Sequence, residues 1–154
     1  MPNSLGGSRA VDSAPLSKPK NTTILSSIQL DGTLRYTTFS GGTTVERFKR
    51  YLEIDLLPHL NDNSVLIMDN MKSHHAKAVR NLLDSSGVRY IYLPPYSPDL
   101  NPIEKLRSKV KSFLRKFKAR TLDALPNAIQ NAFHAVTVSD CSGWFRFCGY
   151  ALLF

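Results

Sequence analysis

Hydrophobic residues recur along this chain with two spacings, one typical of strands and one typical of helices. Residues 22–30 and 33–39 are rich in β-forming residues and flank Asp31-Gly32, a pair typical of a two-residue hairpin turn. Two further strands are predicted at 64–68 and 88–93. The run at 64–68 is continuously apolar, which is typical of a strand buried on both faces.

Apolar positions three and four residues apart predict helices between these strands. Thr43 or Thr44 can cap the first helix, which ends near Pro58. The second spans 76–85 and ends at Gly87, the residue favoured in a left-handed cap. Two more helices follow the last strand, so the order of elements predicts an α/β fold, with a mixed sheet flanked by helices.

The two C-terminal helices carry the longest apolar stripes. Asn101 is expected to cap the first, with Pro102 at its first position and Glu104 at its third. Thr121 is expected to cap the second. The stripes are Ile103, Leu106, Val110, Phe113, Leu114 and Phe117 in the first helix, and Leu122, Leu125, Ile129, Ala132, Phe133 and Val136 in the second.

Charge and composition narrow the classes of function. The 154 residues carry a net charge of +8, which favours a polyanionic partner, first nucleic acid and second an acidic membrane surface. Apolar runs are far shorter than the roughly 20 residues that span a bilayer, so no membrane segment is predicted. Cys141 and Cys148 lack metal-binding spacing and are predicted to be reduced packing residues in an intracellular protein.

Two carboxylates stand at predicted element boundaries. Asp69 follows the strand at 64–68, and ligands of open α/β sheets bind at the carboxyl ends of strands. Glu104 follows the turn PPYSPDLNP, with 34 residues between the two acids. Together they predict a divalent-metal site, with Asp99 a weaker third candidate. Helix capping by Asp69-Asn70, and a capping box of Asn101 with Glu104, are the structural alternatives.

Histidines and lysines surround these acids in the sequence. His74 and His75 follow Asp69, but adjacent histidines at a helix start diverge and cannot easily share one ion. A role beside the site, or against a DNA phosphate, is therefore favoured for His74. The helix after Glu104 carries a dense series of one sign, which favours phosphate contact over a merely solvated face. The series is Lys105, Arg107, Lys109, Lys111, Arg115, Lys116 and Lys118.

The strings IMDNMKSH and LPPYSPDLNPIE, at this separation, resemble the catalytic core of DDE transposases. The resemblance is to the Tc/mariner superfamily, in its bacterial insertion-sequence branch, and covers nearly the whole chain. It implies a ribonuclease-H-like fold and metal-dependent cutting and joining of DNA ends, with three carboxylates around two Mg²⁺ or Mn²⁺ ions. Asp69 matches the family's second acid and Glu104 its third; Asn70, His74 and Asn101 are expected beside the site.

The chain also departs from the family pattern. The family's first Asp lies on a strand upstream of the hairpin, and that first strand is predicted to be missing here. The segment SRAVDSAP resembles the sequence after that acid, so Asp12 is not a substitute, and Asp31 in the hairpin turn is a poor one. The family's N-terminal helix-turn-helix region is predicted to have no counterpart here, and Arg107 stands where relatives usually carry an aromatic residue.

The sequence therefore predicts an irregular lead-in at 1–21, rich in Gly, Ser and Pro, and a truncated DDE catalytic domain at 22–154. With two of three acids, the chain alone is expected not to cleave DNA. The expected DNA partners are transposon ends and target DNA. The expected protein partner is the product of an upstream reading frame or a second copy of the chain, and the expected location is the cytoplasm, in association with the nucleoid. A non-catalytic DNA-binding remnant and a decayed pseudogene product are the alternatives.

Overall fold

The computed structural model describes residues 4–5, 8–12, 22–117 and 124–150, and it has the predicted mixed α/β architecture. Strands β1 to β4 form one antiparallel sheet, and β5 and β6 form a separate parallel pair. None of the helices within these ranges is long and apolar enough to cross a membrane. The elements are β1 Ser4–Leu5, β2 Ser8–Asp12, β3 Thr22–Ile28, β4 Leu34–Ser40, α1 Val45–Arg50, β5 Val65–Met68, α2 Lys77–Ser86, β6 Arg89–Tyr92, α3 Ile103–Phe117, α4 Leu125–His134 and α5 Val138–Phe147.

The hairpin of β3 and β4 forms where the sequence predicts it, with a wider turn. The Gln29 N–H donates to Thr33 O at 3.0 Å, so three residues rather than two make the loop. Gly32 has a φ of 95°, which a residue without a Cβ adopts readily. Asp31 Oδ1 accepts from the Thr33 N–H at 2.9 Å, and this bond holds the pKa of Asp31 below its usual value.

The segment ahead of the hairpin is more regular than its composition predicts. β2 pairs antiparallel with β3, with Ser8 opposite Ser27 and Asp12 opposite Thr23, and β1 pairs with β2. This corrects the prediction of an irregular lead-in for residues 4–5 and 8–12. The reason is tertiary, since β4 covers only one edge of β3, and the N–H and C=O groups of the other edge pair with any extended segment.

The two faces of β3 organise two hydrophobic cores. Ile24 packs on one face with residues of α3 and α4, such as Leu106 and Ile129. Leu25 packs on the other face with Phe48 of α1 and with residues of β5 and α2. Because successive strand residues point to opposite faces, this alternation places β3 between two helical layers.

The first helix is shorter than predicted because the chain changes helical geometry after Arg50. Thr44 caps α1, its Oγ1 accepting from the Arg47 N–H at 3.2 Å. Six residues from Tyr51 form π-helical turns, and a 3₁₀ turn ends at His59. Tyr51 is buried, with its hydroxyl 3.0 Å from Arg35 O, so this altered helix is tied to the hairpin.

The second of the two predicted C-terminal helices is shorter than predicted, and a further helix follows it. α4 begins at Leu125, one residue before Pro126; Thr121 and Leu122 lie outside the described residues. α5 was not predicted, although its signal is present. Thr137 and Asp140 form a capping box, with bonds of 2.9 and 3.0 Å, and Asp140 also binds Lys109 of α3 at 2.5 Å.

A cleft of about 460 Å³ lies between the end of β3 and the start of β5. Val65 is 46% exposed, while Leu66 and Met68 are buried, so the prediction that this strand is buried on both faces is wrong for its first residue. Among the described residues only β6 pairs with β5, and the cleft lies beside the first three residues of β5. The cleft is lined by Ser27, Ile28, Gln29, Leu30, Leu56, Leu60, Asn63, Ser64, Val65, Leu66, Ile67, Asn101, Pro102 and Phe145.

Candidate active site

Asp69 leaves the sheet directly after β5, at the carboxyl end of the parallel pair. Its Oδ1 lies 2.9 Å from His74 Nδ1 and accepts from the Met71 N–H at 3.4 Å. Its backbone oxygen lies 3.2 Å from the same His74 nitrogen. Because both oxygens are acceptors, we assign the ring hydrogen of His74 to Nδ1. The carboxylate is therefore oriented by a histidine five residues further along the chain.

His74 is itself fixed by its surroundings. The residue has no exposed surface, and its ring stacks on Phe48 at a centroid distance of 4.4 Å. The Tyr92 hydroxyl donates to the backbone oxygen of His74 at 2.6 Å. Among the described residues, its Nε2 is buried without a hydrogen-bond partner. Contacts from helix α1 and strand β6 thus fix the position of His74, which in turn orients the Asp69 carboxylate.

Asn70 and His75 form a second pair, turned away from the first. His75 Nε2 bonds to Asn70 Oδ1, and the His75 ring stacks on Tyr92 at 3.9 Å. Burial, and then the neighbouring Arg80 guanidinium, hold the pKa of His75 below its usual value. The two adjacent histidines diverge, one toward Asp69 and one toward Asn70.

Glu104 is positioned by the turn before α3. Asn101 is 2% exposed, and its Oδ1 accepts from the Ile103 N–H at 3.1 Å, so it caps the helix as the sequence predicts. The Glu104 N–H donates to Asn101 O, and the Asn101 N–H donates to Pro98 O. That backbone bond already satisfies the donor that a capping-box glutamate would accept from. The capping box of Asn101 with Glu104 is therefore not needed to satisfy that donor.

Arg107 forms an ion pair with Glu104. Its Nη1 lies 3.9 Å from Glu104 Oε1, and both side chains are largely buried. A cavity of about 250 Å³ opens beside them, lined by Pro98, Asp99, Asn101, Glu104, Lys105, Ser108, Phe147 and Cys148. The arginine that departs from the family pattern is thus a countercharge to the second candidate acid.

The basic series on α3 is not a uniform solvated face. Lys105 lies over the Phe147 ring at 4.0 Å, and Lys109 binds Asp140. Only Arg115 and Lys116 are classed as exposed among the members that the structure describes, while Lys111 is partly buried. Lys118 lies outside the described residues. Lys105 and Lys109 therefore stabilise the packing of α3 against α5.

The segments that lead to the two candidate acids leave the parallel pair of β5 and β6 at the same end. Asp69 follows β5, and the turn to Glu104 follows β6, which runs parallel to β5. Asn101 and Pro102, before Glu104, line the same cleft as Val65 and Leu66. Within the described ranges, no group of three or more His, Cys, Asp or Glu residues could hold a metal ion.

Phe48 and Tyr92 are supporting residues that the sequence analysis did not single out. Their contacts with His74 join segments 26 and 18 residues away in the chain. Phe48 lies on the apolar stripe of the first predicted helix, and Tyr90 and Tyr92 alternate along one face of a predicted strand. Neither pattern indicates a contact with His74.

Comparisons with known proteins place these features in one family. The model of the DDE superfamily endonuclease family matches residues 4–126. The Transposable element Tc1 transposase of Caenorhabditis elegans is 32% identical over 83 residues, which cover 54% of this chain and 30% of that protein.

Solved structures show the same fold. The Mos1 transposase paired-end complex with the left transposon end matches with a TM-score of 0.69 and 20% identity, over 84% of this chain and 42% of that one. The catalytic domain of Mos1 mariner transposase matches with a TM-score of 0.66 and 18% identity, over 92% and 74%. These matches confirm the predicted ribonuclease-H-like α/β fold. The chain spans less than half the length of the Tc1 and Mos1 transposases.

Proposed function

Because the chain belongs to the DDE superfamily endonucleases, of the Tc/mariner type, we propose that it acts in the cleavage and joining of DNA ends by an insertion-sequence transposase. The observation that carries this proposal is the position of Asp69. It stands at the carboxyl end of β5, held by a fully buried histidine, inside the matched segment that also contains Glu104. Its DNA partners are transposon ends and target DNA, and it works in the cytoplasm at the nucleoid.

Asp69 and Glu104 are the residues that would hold Mg²⁺ or Mn²⁺. Their carboxylate oxygens are the hard donors that both cations prefer, and His74 supplies the oriented support typical of metal ligands. Solved structures of the Mos1 catalytic domain include one with Mn and one with Mg. Such ions, when bound, activate the attacking oxygen and stabilise the leaving oxygen at phosphorus.

The chain alone is proposed to be inactive because its metal site lacks one acid. Asp31 Oδ1 is bonded within the hairpin turn, and the sequence around Asp12 resembles a segment beyond the family's first acid. No third ligand joins Asp69 and Glu104 in the described part of the chain. Two carboxylates leave a cation more weakly held and less well neutralised than three.

The missing acid is proposed to come from the product of an upstream reading frame. The open edge of β5 supports this. β6 covers one edge of β5, and no strand pairs with the other edge within the described ranges. The cleft beside it has room for an extended segment, and unpaired strand edges bind added strands through their backbone groups.

A nicking assay tests the proposal. The purified chain is incubated with supercoiled plasmid and Mg²⁺ or Mn²⁺, alone and with the upstream product. We expect no nicking by the chain alone, and nicking by the pair that is lost in Asp69→Ala and Glu104→Ala but kept in Asp99→Asn. If the chain alone nicks DNA and this nicking is lost when Asp69 or Asp12 is replaced, the proposal that the chain alone is inactive is contradicted.

A DNA-binding remnant, or a decayed product, is the second candidate function. The net charge of +8, with Arg115 and Lys116 exposed on α3, favours DNA binding without catalysis. Salt-sensitive binding that is unchanged by EDTA and weakened in an Arg115→Gln and Lys116→Gln double variant would support the remnant. Absence of both DNA binding and complementation would support decay.

A further inference from the structure

The turn between β6 and α3 presents one aromatic side chain entirely to solvent. Tyr96 has a relative exposure of 101% and a φ of 58°. Among the described residues it is the only one other than glycine with a positive φ. A residue with a Cβ adopts this conformation only where the surrounding structure imposes it, and such residues concentrate at functional sites.

The surrounding turn imposes it through contacts on both sides. Pro94 and Pro95 restrict the chain before Tyr96, and the Ser97 hydroxyl donates to Pro94 O. The Leu100 N–H donates to Ser97 O at 3.1 Å, and Leu100 O accepts from the Tyr150 hydroxyl at 2.7 Å. The backbone is fixed by these bonds, while the side chain of Tyr96 is fully exposed. The ring is thus presented for something outside the chain.

An unpaired DNA base is the partner that this presentation fits. A single rigid ring suffices to stack one base, because every base has an aromatic face. A protein partner would need a contiguous apolar core of a much larger interface. The turn leads directly into α3, whose second residue is Glu104, so the segment that carries Tyr96 also positions one candidate acid.

We propose that Tyr96 is a stacking platform for an unpaired DNA base beside the scissile strand. This inference rests on the proposed function, since it takes DNA as the substrate. It adds a base-binding position formed by a strained turn, separate from the acids and from the basic helix.

Binding to two DNA probes tests the platform. The full chain is titrated by fluorescence anisotropy with a blunt duplex and with the same duplex carrying a short single-stranded overhang. Tyr96→Ala is expected to weaken overhang binding about 5- to 150-fold, equivalent to roughly 1–3 kcal/mol for one stacked base, without changing blunt-duplex binding. Tyr96→Phe is expected to bind like the original chain.

Two further variants separate stacking from folding. Tyr96→Asn tolerates a positive φ, so it should melt no lower than the original chain and still lose overhang binding. Ile91→Ala removes another exposed large side chain and should change neither probe. If Tyr96→Ala and the original chain bind the overhang probe equally well, the stacking proposal is overturned. It is also overturned if Tyr96→Ala alters only the association of the chain with other copies of itself. Failure of the original chain to bind either probe, both alone and with the upstream product, would overturn the DNA function as well.

Discussion

The two candidate acids are held by different kinds of structure. Asp69 depends on tertiary packing, because its partner His74 is buried against Phe48 of α1 and bonded through its backbone to Tyr92 of β6. Glu104 depends on local structure, because the Asn101 cap and the turn before it set the start of α3.

This difference separates two ways of losing the site. Damage to the core should disorder Asp69 while leaving the start of α3 in place. Damage to the turn should displace Glu104 while leaving the histidine contact intact. A substitution in the core or in the turn should therefore disturb one candidate acid and leave the other in place.

The largest effect is expected from His74→Ala. It removes a fully buried ring and should destabilise the fold by roughly 2–5 kcal/mol, the range for large buried side chains cut to alanine. Urea denaturation measures the change, with the partly exposed His75→Ala as the matched control, expected to cost about 1 kcal/mol or less. If the two variants lose equal free energy of unfolding, His74 does not have the specific structural role beside Asp69 that its burial indicates.

A smaller effect is expected from Asn101→Ala, at the other end of the site. Loss of the bond from the Ile103 N–H should cost about 0.5–2 kcal/mol, the usual cost of an N-cap. Thr44→Ala, which removes the cap of α1, is the control for a cap far from the candidate acids. Amide exchange should rise at 103–105 in the first variant and near Arg47 in the second. Increased exchange around His74 in Asn101→Ala would show that the two ends are coupled.

The same contrast explains what the sequence could predict. The Thr44 and Asn101 caps and the Gly87 end of α2 depend on neighbours within a few residues, and they occur as predicted. The hairpin forms at its predicted place with a three-residue loop, and α4 covers only part of its predicted stripe. Residues that the tertiary structure positions were missed. β2 forms because β3 has a free edge, and Phe48 meets His74 only after α1 has packed on the sheet.

The candidate site divides in the same way. The identities of Asp69 and Glu104 follow from motif spacing, whereas the burial of His74 and the engagement of Lys109 with Asp140 depend on three-dimensional packing. The spacing between basic residues cannot distinguish a lysine that faces DNA from one that binds a neighbouring helix.

Arg107→Leu should sharpen the description of the Glu104 end with little effect on stability. The guanidinium lies 3.9 Å from Glu104 Oε1, so its removal takes away a charge that opposes a bound cation. Such partly exposed pairs contribute about 0–1 kcal/mol, so Mn²⁺ affinity, measured by electron paramagnetic resonance, should rise by no more than about fivefold. Arg115→Leu, an exposed cation on the same helix, is the control. An equal gain in both variants would assign the effect to net charge.

The smallest effect is expected from His75, and it is visible as a dependence on pH. Burial and Arg80 hold the pKa of His75 below 6.5 in the folded chain, with Asp69 opposing them weakly. Between the pKa of His75 in the folded chain and 6.5, the unfolded chain therefore binds more protons than the folded chain. The contribution of His75 to the free energy of unfolding is complete above pH 6.5 and is lost as the pH falls through that window. NMR titration should show the low pKa, and Arg80→Gln should bring it closer to 6.5. His75→Gln should flatten this part of the stability profile. An unchanged profile in His75→Gln would assign the dependence to another group, and an unchanged His75 pKa in Arg80→Gln would leave burial as its cause.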